Sequence, residues 1–63
     1  MDCTKELARL EGTRFFSTKP ADTPRSVWLH KAAMREAQRW GQGDALANRY
    51  ARLAAAARLE EKA

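Results

Sequence analysis

Apolar residues recur at helical spacing in three stretches of this chain. In the first, Cys3, Leu7 and Leu10 stand at i, i+4 and i+7, which predicts a short helix from Asp2 to Glu11 with one inward stripe. Gly12 comes next and tolerates the left-handed backbone that commonly ends a helix, so it is the expected stop. The pattern then lapses. From Thr13 to Asp22, two threonines, the adjacent Phe15 and Phe16, and Pro20 interrupt any helical period, and an extended or looped connection is expected, with the two phenylalanines as pegs pinning it to the helices beyond.

The second stretch opens at Thr23-Pro24. Threonine can cap the free amides of a first turn, and proline at the first helical position has no amide to leave unsatisfied, so a helix from Pro24 to Trp40 is predicted. Gly41-Gln42-Gly43 breaks the period. Asp44 then supplies a carboxylate for the next N-terminus, and the third stretch reads as a helix from Ala45 to about Lys62. Two long helices joined by so short a turn must fold back antiparallel. The expected fold class is therefore all-α: a short helix plus irregular segment over residues 1–22, then a helical hairpin over residues 23–63, with a dimeric helical bundle as its possible assembly.

Helical wheels assign the faces. On the third helix Leu46, Tyr50, Leu53 and Ala57 recur at spacings of 4, 3 and 4 and form the expected core seam. On the second, Val27, His30, Ala33, Met34, Ala37 and Trp40, with Leu29, make the matching apolar face, which would leave His30 partly buried and bonded to the N-terminal segment. The other side of that helix gathers Arg25, Trp28, Lys31, Arg35, Gln38 and Arg39 within about 140° of the wheel.

Charge sharpens this last face. The whole chain carries +4, and residues 23–42 hold Arg25, Lys31, Arg35 and Arg39 against Glu36, or +3 of it. Residues 1–22 balance to zero and residues 43–63 carry +1. A tryptophan among arginines is a common interface anchor, and an aromatic flanked by cations can also stack on a base. The same ring can equally be a peg covered by Phe15, Phe16 and the first helix. Arg49 and Arg52 read as a solvated face, as do Glu60 and Glu61.

Composition narrows the possibilities. Thirteen alanines and eight arginines with few β-branched residues favour helix over strand. At 63 residues a lone core supplies only about 3 to 5 kcal/mol, so a staple or partner is expected. One cysteine and one histidine exclude an intrachain disulfide and a structural zinc site, so no metal or cofactor is expected. Ala47, Ala51 and Ala54 would allow close approach of another helix, and a homo-oligomer is the expectation drawn from them. No apolar run is long enough to span a membrane, and Met1 to Glu6 lacks a signal-peptide pattern, which makes a cytoplasmic protein the expectation.

No nucleophile, base and orienting group occur in an interpretable arrangement, and neither glycine of the turn belongs to a phosphate loop. Enzymatic activity is not expected. The function that fits is a small protein-binding module, a regulator, adaptor or inhibitor docking on an acidic patch of a larger assembly through Trp28, Lys31, Arg35, Arg39 and Arg25. The alternatives are a nucleic-acid-binding protein, as a dimer, and a structural or oligomerisation module.

Overall fold

The computed structural model describes residues 3–62, apart from the side chains of Cys3 and Thr4; the helix start at Asp2 and the inward place of Cys3 lie outside the described residues. Four helices occur in order: α1 (Cys3–Glu11), α2 (Arg14–Ser17), α3 (Arg25–Trp40) and α4 (Ala45–Lys62). There is no strand among the described residues. The long helices α3 and α4 pack antiparallel, α1 lies on α4, and α2 lies on α1.

The core is a single cluster with one large, fully buried side chain from each of three helices: Leu7 of α1, Leu29 of α3 and Leu53 of α4. Phe16, Ala54 and Ala57 complete it, and Leu10, Phe15, Trp28, Tyr50 and Ala56 pack half-buried around it. The expected seam of α4 thus holds at Leu53 and Ala57, with Tyr50 at its edge. Leu46 does not belong to it. It sits in the first turn beside the glycine connection, where coverage ends, and is 40% exposed.

The buried face of α3 agrees with the expected one at Leu29 and Ala33 and departs from it elsewhere. Ser26, Leu29, Ala32 and Ala33 are inside, whereas Val27, His30, Met34 and Trp40 face outward. The reason is that α3 packs on α4 and also meets side chains of the N-terminal segment, Phe15 against Trp28 and Glu11 on Arg25, so the buried arc turns away from the heaviest apolar side chains. His30 is exposed accordingly, with no hydrogen bond to the N-terminal segment among the described residues. Ala47 and Ala54, expected as an open surface for another helix, are instead buried, while Ala51 stays exposed.

Residues 13–18 form a helical turn where an irregular connection is expected. Thr13, Phe15, Phe16 and Ser17 have modest helix propensity and no side chain caps the turn, so its stability comes from packing. Phe16 points into the core. Phe15 lies edge-on to Phe16, with centroids 4.9 Å apart, and stacks on Tyr50 at 5.2 Å and 9° between planes. The turn places both rings at once, as an extended strand would not.

Helix ends also depart from expectation. Gly41 is the one described glycine with a positive φ, +111°. Gly12 does not use that conformation; the backbone amide and hydroxyl of Thr13 close α1 instead, both donating to the Leu10 carbonyl. At the head of α3, Pro24 rather than Thr23 is the N-cap residue, and no local side chain caps it. Glu61, from the far end of α4, does so: its carboxylate accepts from the Ser26 amide at 3.1 Å and the Ser26 hydroxyl at 2.6 Å. Asp44 performs its expected task at α4, accepting from the Ala47 amide at 3.0 Å.

Candidate binding face

Five residues form the basic face read from sequence: Arg25, Trp28, Lys31, Arg35 and Arg39. The fold keeps three of them together. Trp28 is half-buried, its ring 6.3 Å from that of Phe15, and its indole Nε1–H donates to the Phe15 carbonyl at 2.9 Å. It therefore serves the core as an internal peg while one part of the ring stays open. That part joins Arg14, Phe15, Thr18, Lys31, Ala32 and Arg35 around a hollow of about 560 Å³. The volume is within the range of small-molecule pockets. The hollow is open on its outer side, as suits a docking notch better than an enclosed ligand site.

Arg25 is engaged elsewhere. Its guanidinium bridges Glu11 and Glu60, the latter at 2.8 Å, tying α1, α3 and α4 together at one end of the molecule. Partial burial opposes its charge, but the hydrogen bonds to Glu60 and Glu11 outweigh this and raise its pKa above the ordinary value. Arg39 lies apart as well, its guanidinium 5.0 Å above the ring of Trp40.

Arg14 and Thr18 join the hollow without being singled out in the sequence. The signal was present in Arg14 next to Phe15-Phe16: once the two rings are fixed in the core, a one-turn helix must carry Arg14 to the α3 side.

The charges around the hollow are set by where the acids go. Glu6 pairs with Arg49 at 3.1 Å, Glu11 and Glu60 hold Arg25, Glu61 binds Ser26 and Asp44 caps α4. Glu60 and Glu61 are thus structural partners, and Arg49 has its own ion pair. Hydrogen bonding to the Ser26 side chain and backbone, helped by the charges of Arg25 and Arg58, holds the Glu61 carboxyl below its ordinary pKa despite some opposing desolvation. Arg14, Lys31 and Arg35 are exposed and form no salt bridge among the described residues.

Chemically, three unpaired cations beside an aromatic wall can receive carboxylates or phosphates with a flat or apolar group laid between them. Among the described residues no three of His, Cys, Asp and Glu stand close enough to hold a metal ion. No helix of the described residues is long and apolar enough to cross a membrane. No family model matches this chain, and no curated protein or solved structure matches it either.

Proposed function

We propose that this chain is a small non-enzymatic protein-binding module that docks on an acidic stretch of a larger protein. Its contact surface is the hollow of Arg14, Trp28, Lys31 and Arg35. One observation carries the reading: five acids are engaged inside the molecule, whereas the cations around the hollow have no carboxylate partner among the described residues. Attraction between opposite potentials would steer the partner to this side, and the open edge of Trp28 and Phe15 would supply apolar contact.

The test is binding of a fluorescent, flexible peptide of alternating Glu, Gly and Phe to wild type and to Arg14→Glu with Arg35→Glu. Both arginines are exposed, so the double variant should melt like wild type. Affinity should fall at least about tenfold. Equal binding by the two proteins would remove the hollow as the contact surface.

A nucleic acid is the second reading, favoured by Trp40, which is 62% exposed beneath the guanidinium of Arg39 and could stack on a base. Four phosphate contacts, from Arg14, Lys31, Arg35 and Arg39, would give a salt slope of about −3 for a single strand. A titration with a mixed-sequence oligonucleotide at two salt concentrations separates the readings.

A further inference from the structure

On the side of the hairpin away from α1 and α2 runs a second depression. Its floor is Ala51, Ala54 and Ala55; its walls are Val27 and His30 from α3 and Leu59 from α4. Met34 continues the α3 wall one helical turn further on. Val27, Met34 and Leu59 are 42%, 50% and 72% exposed, a heavy load of bare apolar side chains for a molecule whose core holds three large, fully buried ones. Val27 and Met34 are also side chains whose spacing on α3 has the form of a core face. Among the described residues no element covers them, since α1 and α2 pack on the opposite side.

Size and charge indicate the occupant. A compact monomer of 7.1 kDa is expected to expose about 4,100 Å². This chain exposes 4726 Å², roughly 650 Å² more over its whole surface, to which the bare Val27, Met34 and Leu59 contribute. The groove is bordered by Arg58 and Lys62, with His30 opposite, and no acid lines it. The neighbouring Glu60 and Glu61 turn towards Arg25 and Ser26 instead. A second copy docked through the same groove would set cations against an equally basic rim and bring no acid to meet them. An alanine floor between two antiparallel helices accepts the large side chains of a third helix.

We propose that this groove is a docking site for an acidic amphipathic helix of another protein, with leucine-type residues on the alanine floor and carboxylates beside Arg58 and Lys62. The site is separate from the Arg14–Trp28 hollow and does not depend on it.

The probe is a labelled 21-residue peptide with Leu at heptad positions a and d and Glu at e and g, compared with its counterpart carrying Lys for Glu. The acidic peptide should bind, gain helicity in circular dichroism and bind at least about tenfold tighter than the lysine peptide. Ala51→Glu with Ala55→Glu should lose the binding while melting like wild type, since both positions are exposed on a helix. Arg14→Glu with Arg35→Glu should bind the helix unchanged, which separates this site from the other. The proposal is overturned if the lysine peptide binds equally, or if the Ala51 and Ala55 variant retains affinity. It is equally overturned if sedimentation gives a wild-type dimer that the Ala51 and Ala55 variant dissociates, because the occupant is then a second copy.

Discussion

Two side chains show how single residues close this fold. Glu61 supplies the N-terminal cap that α3 lacks locally, and it does so across the hairpin, so it ties the last turn of α4 to the first of α3. Glu61→Gln keeps the shape but weakens the acceptor, and should lower the melting temperature by a few degrees at neutral pH. The pH dependence is a matter of linkage. The folded carboxyl titrates below its ordinary value, so its contribution is complete at pH values above about 4.3 and is lost as pH falls through the lowered folded value. Melts between pH 7 and pH 3 should therefore show a shallower acid limb for Glu61→Gln than for wild type, and parallel limbs would refute the cap. Trp28 is the other case. Trp28→Phe retains most of the apolar contact but leaves the Phe15 carbonyl without its indole donor, and should cost about 1 kcal/mol in a urea melt.

Among the elements, the turn between α3 and α4 makes the cleanest prediction. Gly41 has φ +111° and ψ 163°, a region open almost only to glycine, so Gly41→Ala should cost about 1 to 3 kcal/mol. Gly43 has no positive φ and open space where a Cβ would stand, so Gly43→Ala should be close to neutral in the same melt. Equal effects of the two would show that the turn is set otherwise. The sequence made this turn and the two helices it joins legible, because capping and helix-breaking are local chemistry written in Asp44, Gly41 and Gly43. The face of α3 was legible only in part: Leu29 and Ala33 are inside as expected. Val27, His30 and Met34 have the spacing of a core stripe, yet they face outward while Ser26 and Ala32 are inside, because side chains of the N-terminal segment also pack against α3. A wheel ranks side chains by hydrophobicity and carries no information about how many neighbours a helix has. The same limit hid α2, a single turn of mostly modest helix formers held by the packing of Phe15 and Phe16. It hid as well the engagement of Arg25, whose partners Glu11 and Glu60 stand 14 and 35 positions away. Trp28, Lys31 and Arg35 could be placed together because they lie on one helix, whereas Arg14 reaches them only through the tertiary fold.

At the scale of the whole molecule, the hairpin and the N-terminal segment share one core. Leu7, Leu29 and Leu53 each come from a different helix and are each at most 1% exposed, so removing any one opens a cavity that the other two border. A buried Leu→Ala change costs about 2 to 5 kcal/mol. A core of this size supplies about 3 to 5 kcal/mol in total. Leu7→Ala should therefore unfold the chain nearly as far as Leu53→Ala, although Leu7 lies outside the hairpin, and Leu53→Asp should abolish folding because an unpaired carboxylate would enter the same space. The measurement, made in a Trp40→Phe background so that Trp28 is the sole tryptophan, is a urea melt monitored at once by circular dichroism, which reports mainly α3 and α4, and by tryptophan fluorescence, which then reports Trp28 at the junction with Phe15. One cooperative unit gives coincident transitions in wild type and a common shift to lower urea in Leu7→Ala. If Leu7→Ala shifted only the fluorescence and left the helical signal of the hairpin unchanged, the N-terminal segment would be an appendage on an independently stable hairpin. The Arg14–Trp28 hollow would then open and close separately from the α3–α4 groove.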